Sequence, residues 1–267
     1  MIKYNSRIWW FWFNWKMSIF SNKNLIERYS RQIVLKKIGF EGQKKILSSK
    51  VFVVGAGGLG CTVIDQLARA GVGEIAVIDF DKVTLSNIHR QVLYNSQDLN
   101  KHKVNVLKKK IKKINSKIKL KIYKSKINKE NIKKFLKNYQ IIVDGSDNFE
   151  TKFLLNKYCL KLRKRLIVGS INKFDGHVFS LNFKNNKSAC LKCFYQEIPN
   201  SNLLNCETEG VVGTIANIVG SIQANEVLKI ILNLKEKLYN SILIVNILDL
   251  SFRISKFGKI KKCICGR

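Results

Sequence analysis

The 267-residue sequence is poor in proline and in acidic residues. It has one proline, Pro199, and 18 acidic side chains against 49 lysines and arginines, so its formal net charge is +31. Such an excess is typical of a nucleic-acid or membrane partner when the cations are clustered. Here they are spread along the chain, and the densest stretch, 101–134, alternates with Ile, Leu and Val. This pattern indicates a solvated face, and we expect neither a nucleic-acid nor a membrane partner.

Long hydrophobic runs are also absent. The one unusual apolar segment lies at residues 8–15, where all four tryptophans are found, and it is too short to span a bilayer. It also lacks the small-residue cleavage site of a secretory signal. We interpret residues 1–16 as a non-native or disordered extension and 17–267 as a single domain. An interfacial anchor at 1–16 is the alternative.

The number of cysteines is odd, since the chain has seven. Without a secretory signal, this number favours a reducing compartment in which thiols act as ligands or nucleophiles. We therefore expect a cytoplasmic protein.

A strand, a glycine-rich turn and a helix follow one another from residue 51. The apolar run 51–54 precedes Gly-Ala-Gly-Gly-Leu-Gly at 55–60, and apolar residues then recur at helical spacing to Ala70. A second buried strand, 75–79, ends in a carboxylate, which indicates a parallel β-α-β unit. The fold class is therefore α/β, with a Rossmann-like, doubly wound sheet whose parallel first half continues into a mixed or antiparallel second half. No Pro/Gly/Ser linker interrupts the pattern.

The same periodicities predict the later elements. They are helices near 103–114, 128–137, 154–162 and 211–232, and strands near 119–124, 141–144, 166–169, 176–181 and 242–254.

The glycine-rich turn is suited to a nucleotide, because its backbone can approach phosphates at a helix N-terminus. Asp79 follows Gly60 at about the spacing of a ribose-binding acid. These features alone would also fit an NAD-dependent oxidoreductase. Arg90, Lys103 and the Gly-Ser-Asp-Asn segment at 145–148 add two cations and a carboxylate, which suit a triphosphate with magnesium better than a nicotinamide.

Taken jointly, these motifs resemble the sulfur-carrier adenylyltransferases of the ThiF/MoeB/HesA family, relatives of the ubiquitin-activating enzymes. The resemblance covers roughly residues 25–267. The matching stretches are Arg28–Gln32, Gly55–Cys61, Asp79–Asp81, Ser86–Gln91, Lys103, Ser146–Asn148, Cys190–Cys193 and Asn205–Gly213.

The resemblance implies a reaction. ATP would adenylylate the C-terminal glycine carboxylate of a ubiquitin-like sulfur-carrier protein that ends in Gly-Gly, ThiS-like for thiamine thiazole synthesis or MoaD-like for molybdopterin synthesis. Asn205 and Cys206, followed by the segment 210–213, slightly favour the thiazole branch. A dehydratase-like branch, acting on tRNA threonylcarbamoyladenosine, is the alternative within the family.

The resemblance also implies a nucleotide site with magnesium. Arg31 would reach the γ-phosphate of ATP in the other subunit of a homodimer, and Asp147 would hold the magnesium, with Asp144 as the alternative ligand. The implied catalytic residues are Arg31, Arg90, Lys103, Asp147 and Cys206. The implied nucleotide-binding residues are Gly55, Gly57, Gly58, Gly60, Asp79, Ser86, Asn87, Arg90, Lys103, Asp147 and Asn148. For Lys103, a plain surface charge is the alternative in so lysine-rich a chain.

Four cysteines have the pattern of a structural zinc site. Cys190 and Cys193 have the spacing of two zinc ligands on a predicted loop. The family completes the site with a second CxxC pair, whereas this tail reads Cys263-Ile264-Cys265, one residue shorter. Cys206 is either a spectator or a thiol that takes up the activated carrier. The remaining two thiols, Cys61 and Cys159, fall among apolar helical neighbours and are expected to be buried.

Overall fold

The computed structural model describes residues 23–195, 210–235 and 237–265. Its contacts divide the chain into two units, Met1–Lys44 and Lys45–Arg267. Helix α1, Lys23–Ile33, belongs to the first unit, and helix α2, Gly39–Ser48, begins in it. Within this unit the Gln32 side-chain amide donates a hydrogen bond to the Gln43 Oε1 at 3.1 Å, which ties the two helices together. The extension predicted for residues 1–16 lies outside the described residues.

The second unit alternates strands and helices. Its elements are β1 Lys50–Val54, α3 Gly58–Ala70, β2 Glu74–Ile78, α4 Lys103–Ile114, β3 Lys119–Tyr123, α5 Ile132–Leu136, β4 Ile141–Asp144, α6 Phe149–Lys161, β5 Arg165–Asn172, β6 Asp175–Asn182, α7 Leu191–Phe194, α8 Gly213–Ile231, β7 Ser241–Asn246 and β8 Ser251–Lys256. Among the residues described, no helix is long and apolar enough to cross a membrane.

The eight strands of the described residues form one sheet, in the order β3-β2-β1-β4-β5-β6-β7-β8. Strands β1 to β5 pair in parallel, whereas β6, β7 and β8 are added in antiparallel fashion. This arrangement confirms the predicted fold class. The chain reverses its direction of winding between β1 and β4, and ligands of such sheets bind at the carboxyl ends of the strands at this switch point.

The apolar runs become strands because helices cover both faces of the sheet. Every residue of β2 and β4 is buried, as expected for central parallel strands that have no solvent face. Helix α8 packs closely on α3, since a Cβ added to Gly220 would lie only 2.7 Å from the Cβ of Thr62. The close crossing sets α3, and the turn before it, firmly on the sheet.

Two predicted helices have different limits in the structure. The helix expected at 128–137 is confined to α5, because Asn128 and Asn131 each accept the other's backbone N–H, at 2.9 and 3.0 Å, and hold that stretch in a turn. Helix α6 begins at Phe149, five residues before its predicted start. Asn148 caps it by accepting the Thr151 N–H at 2.9 Å.

Candidate nucleotide site and cysteine cluster

A cavity of about 540 Å³ opens at the carboxyl ends of the parallel strands. Most of the predicted nucleotide-binding residues line it: Gly55, Gly57, Gly58, Asp79, Asn87, Arg90, Lys103, Asp147 and Asn148. The lining carries more cations than carboxylates, with five Lys or Arg side chains against three Asp. This excess of positive charge suits a polyphosphate ligand.

The glycine turn leaves the N-terminus of α3 open toward this cavity. Gly55 has φ +91°, and a Cβ there would meet the Gly145 carbonyl at 2.8 Å, so no larger residue fits. Gly57 is the N-cap of α3, and within the described part of the chain no side chain caps the first amides of this helix. Gly60 does not line the cavity. A Cβ on it would lie 2.0 Å from the Gly55 carbonyl oxygen, so the glycine at this position allows α3 to pack closely against the glycine turn.

Asp79 is held by the backbone at one side of the cavity. Its Oδ2 accepts the Ala56 N–H at 2.7 Å and its Oδ1 accepts the Asp81 N–H at 2.8 Å. Burial raises the pKa of this carboxyl, while Lys103 and the two backbone N–H groups oppose that rise. Because a carboxylate can accept about four hydrogen bonds, two acceptor positions stay available for the hydroxyls of a ribose.

Lys103 is buried, so the alternative of a plain surface charge is wrong. Its side chain is 6% exposed, and its Nζ lies 3.0 Å from the Asp81 Oδ2. Its backbone N–H donates to the carbonyl of the same aspartate at 3.0 Å. The start of α4 is thereby fixed at the cavity wall.

Arg90 is positioned by its own segment. Its Nη1 donates to the Ser86 carbonyl and to the His89 Nε2, both at 2.7 Å. Burial and the neighbouring guanidinium lower the pKa of His89. The Ser86 side chain is exposed, does not line the cavity, and lies 3.1 Å from the Thr84 hydroxyl. Asn87 lines the cavity, and its Oδ1 accepts the Thr84 N–H at 3.4 Å.

The two candidate magnesium ligands differ in their surroundings. Asp147 is exposed at the cavity and accepts one hydrogen bond, from the Asn148 side chain at 3.2 Å. Asp144 is fully buried, does not line the cavity, and accepts hydrogen bonds from Ser146 and from the Lys152 ammonium at 3.0 Å. The geometry therefore favours Asp147 as the metal ligand, whereas Asp144 forms a buried ion pair with Lys152.

Lys152 is a cavity residue that the sequence analysis missed. Besides Asp144, its Nζ contacts the carbonyl oxygens of Ser146 and Gly169, both at 2.7 Å. One buried ammonium thus joins the turn after β4 to strand β5. Its burial depends on partners that the fold brings near, so nothing local in the sequence could have identified it.

The four candidate zinc ligands come together in space. The sulfur atoms of Cys190, Cys193, Cys263 and Cys265 all lie within 4.8 Å of one another. The Cys190–Cys263 pair is 3.6 Å apart and the Cys193–Cys265 pair 3.3 Å. Four thiolates at about 2.3 Å from a tetrahedral ion would be about 3.8 Å apart, so the cluster has the size of a metal site. The shortened CxC pair does not prevent this arrangement.

The first cysteine pair was predicted to lie on a loop, but the structure places it at a short helix. Cys190 precedes the single turn of α7, and Cys193 lies within it. The turn forms because the Leu191 N–H is bound by the buried Asn156 side chain at 3.0 Å. Cys61 and Cys159 are buried as predicted.

The two remaining predicted catalytic residues are Arg31 and Cys206. Arg31 is an exposed residue of α1, in the first unit. Cys206, together with most of the motif 205–213, lies outside the described residues.

Comparisons with known proteins agree with this geometry. The sulfur carrier protein adenylyltransferase of Thermus thermophilus is 35% identical over 249 residues, which cover 91% of this chain and 92% of that protein. The adenylyltransferase and sulfurtransferase MOCS3 of Aedes aegypti is 38% identical over 246 residues, which cover 92% of this chain. Those residues make up only 56% of the Aedes protein, so the chain spans about half the length of that relative.

A solved structure shares the fold. The crystal structure of E. coli MccB with AMPCPP and selenomethionine MccA superposes with a TM-score of 0.77 at 25% identity. The superposition covers 89% of this chain and 74% of that one. The ThiF family matches residues 29–266, nearly all of the sequence that follows the tryptophan-rich segment. With the motifs, the sheet order and the cavity in agreement, the chain belongs to the ThiF family.

Proposed function

We propose that this protein transfers AMP from ATP to the C-terminal carboxylate of a ubiquitin-like sulfur-carrier protein. The observation that carries the proposal is the convergence of the glycine turn, Asp79, Arg90, Lys103 and Asp147 on one cavity. The names of the Thermus and Aedes relatives support the same reaction. The cations beside the ribose carboxylate suit a triphosphate with magnesium better than a nicotinamide dinucleotide, because a triphosphate carries more negative charge.

The chemistry requires positioning rather than proton transfer. The carboxylate of a terminal glycine is already ionised at neutral pH, so no general base is needed. Its oxygen attacks the α-phosphorus of ATP, the bond from that phosphorus to the bridging oxygen breaks, and pyrophosphate leaves. Arg90 and the buried Lys103 would neutralise the charge that develops on the phosphates.

Asp147 would hold a magnesium ion on the phosphates. An exposed carboxylate with free lone pairs at the cavity wall is the oxygen donor that this ion prefers. When bound, the ion would supply positive charge that offsets the negative charge of the phosphates.

Arg31 would act in a homodimer. Its proposed role is to reach the γ-phosphate of ATP bound in the partner subunit, as the family resemblance implies. Cys206 would take up the activated carrier or take part in sulfur transfer. Both roles rest on the family resemblance.

The four clustered cysteines would bind one structural zinc ion. Four thiolate ligands leave no coordination position for a substrate, so the metal would not take part in the reaction. It would instead hold the segment after β8 against α7, because Cys263 and Cys265 belong to that segment and Cys190 and Cys193 to the region of α7.

Exchange of labelled pyrophosphate into ATP tests the proposal. We expect exchange only when a carrier protein ending in Gly-Gly is present, because label enters ATP only when pyrophosphate attacks the acyl adenylate, and that adenylate forms only on the carrier's carboxylate. Comparison of ThiS-like and MoaD-like carriers would then separate the thiazole and molybdopterin branches. Cys206→Ala should leave the exchange unchanged and slow only later sulfur transfer. ATP binding without exchange would favour the dehydratase branch, and absence of ATP binding would contradict the proposal.

A further inference from the structure

One buried amide beside the cysteine cluster has a donor group that the protein does not use. Asn156, on α6, is fully buried. Its Oδ1 accepts the Leu191 N–H at 3.0 Å, whereas its Nδ2 has no hydrogen-bond partner among the described residues. Buried polar groups are almost always bonded, because an unpaired one destabilises the folded protein. The donor is therefore expected to meet an acceptor that forms when a ligand binds.

The backbone fixes which end of this amide faces Leu191. Only the amide oxygen can accept the Leu191 N–H, so the oxygen lies on that side and the nitrogen on the other. A half-turn of the amide would set two N–H groups against each other, and the orientation is therefore determined. Leu191 directly follows Cys190, the N-cap residue of α7, so the amide lies next to the first zinc ligand.

The acceptor that fits this donor is the sulfur of Cys190. Burial raises the pKa of the Cys190 thiol to about 11, and the nearby Cys193 thiol adds to the rise. The Asn156 side chain opposes it, because an amide N–H favours the charged sulfur. The cluster already contains one bond of this kind, since the Cys193 sulfur accepts the Ile260 N–H at 3.4 Å. A donor at Cys190 would supply the same bond to a second ligand.

We propose that Asn156 is a positioning residue of the metal site, whose Nδ2 donates a hydrogen bond to the Cys190 thiolate when zinc is bound. The inference rests on the zinc site of the proposed function and concerns a residue outside its four ligands. A metal-bound cysteine is a thiolate, which accepts hydrogen bonds far better than a neutral thiol does. The bond would orient the first cysteine pair and offset part of the negative charge of four thiolates around one ion.

The test measures metal affinity and a cobalt spectrum, neither of which depends on catalysis. Competition with a chelator gives the zinc affinity, and Co²⁺ in place of zinc gives a sulfur-to-metal charge-transfer band that reports on the thiolates. Asn156→Leu keeps the size of the side chain and removes its donor and its acceptor, whereas Asn156→Asp keeps the acceptor for Leu191 and removes the donor. Asn115→Leu is the matched control, because Asn115 is a buried asparagine that donates to the Ala68 carbonyl at 3.0 Å.

We expect Asn156→Leu to bind zinc about 10- to 100-fold more weakly than the wild type, the usual effect of removing a residue that orients a metal ligand. Its charge-transfer band should move to longer wavelength, because a thiolate that loses a hydrogen bond gives up its electrons to the metal more easily. Asn156→Asp should bind zinc more weakly still at about pH 8, since an ionised carboxylate repels thiolates. Asn115→Leu should keep the wild-type affinity and band.

Wild-type affinity or an unmoved band in Asn156→Leu would overturn the inference, and so would an equal loss of affinity in Asn115→Leu. Wild-type affinity in Asn156→Asp would also overturn it, because the residue would then act only on the Leu191 N–H. If Asn156→Leu does not fold, Asn156→Asp alone decides. A wild-type protein that binds neither zinc nor cobalt would instead overturn the zinc site of the proposed function, and this inference with it, while pyrophosphate exchange would still test the reaction.

Discussion

The Lys103 ammonium lies 3.0 Å from the Asp81 carboxylate, and the two residues are joined a second time through their backbones. The carboxylate is 45% exposed whereas the lysine side chain is 6% exposed. The pair therefore holds a cation inside the cavity while its counter-charge faces water. A cation fixed in this way needs little reorganisation when negative charge develops on a phosphate.

We expect Lys103→Met to slow carrier-dependent pyrophosphate exchange on the order of 10²-fold, the usual effect of removing one preorganised electrostatic donor. The exchange rate at saturating ATP measures this effect. Lys101→Met is the control, because the Lys101 side chain is exposed, does not line the cavity and donates a hydrogen bond to the Gln97 carbonyl. If the two variants were equally active, Lys103 would have no part in the reaction.

The fold could be predicted because its signals are local. Strands β1, β2 and β4 are short, mostly apolar runs that end at or just before a glycine or an aspartate, and α4 begins and ends at the residues where its periodicity does. The predicted helix limits were wrong where an asparagine side chain, instead of a backbone carbonyl, accepted a backbone N–H. Asn128 and Asn131 formed a turn inside a predicted helix, and Asn148 capped a helix whose first turn had no clear apolar face.

The site was predictable only in part. Asp79 and the glycines follow from spacing alone, since a nucleotide turn requires them in that order. The burial of Lys103 and Lys152 was not predictable, because each depends on a partner brought near by the fold and nothing local distinguishes either from the other lysines.

Lys152 provides a test of the buried charge pair beside the cavity. Lys152→Met would leave the fully buried Asp144 carboxylate without its cation, and we expect a loss of about 3–5 kcal/mol in the free energy of unfolding. Urea unfolding at neutral pH measures it. Combining the variant with Asp144→Asn should recover part of the loss, since both members of the pair are then neutral.

Lys157→Met is the matched control for this prediction. Lys157 is exposed on the same helix, so its substitution should change the free energy of unfolding by less than about 0.5 kcal/mol. A loss in Lys152→Met no greater than in this control would show that the buried pair contributes nothing to stability.

His89 predicts a pH dependence of nucleotide binding. Its Nε2 accepts a hydrogen bond from Arg90, which requires a neutral ring, and burial and that guanidinium lower the pKa of His89 below 6.5. As the pH falls through this lowered pKa, the ring gains a proton, stops accepting and repels Arg90. The KM for ATP should therefore rise on the acid side. For the same reason the contribution of His89 to folding stability should increase as pH rises from the lowered pKa toward 6.5.

His89→Phe separates this effect from other titrations. The variant has no proton to gain, so the acid rise in the KM for ATP should be smaller than in the wild type when both are measured from about pH 5 to about pH 8. Identical profiles for the two proteins would exclude His89 as the titrating group.

The cysteine cluster predicts bound zinc. We expect about one zinc per chain by elemental analysis, lost in Cys265→Ser and retained in Cys61→Ala, whose thiol is buried away from the four ligands. Chelation should lower the melting temperature by at least about 5 °C, or roughly 2 kcal/mol in a protein of this size. Purified protein that melts normally without any metal would show that the cluster is a set of free thiols.

Arg31 and Arg90 together test whether the active site is shared between two subunits. If Arg31 serves the ATP of the partner, Arg31→Ala and Arg90→Ala homodimers should each be inactive. A mixed dimer places both substitutions in one site and leaves the other site intact. Half of randomly formed dimers are mixed, so refolding the two variants together should restore up to about a quarter of wild-type exchange. If both arginines served the same subunit, every site of every dimer would lack one of them and mixing would restore nothing. The doubly substituted chain, Arg31→Ala with Arg90→Ala, mixed with either single variant supplies the control, because no such dimer contains an intact site under a shared arrangement.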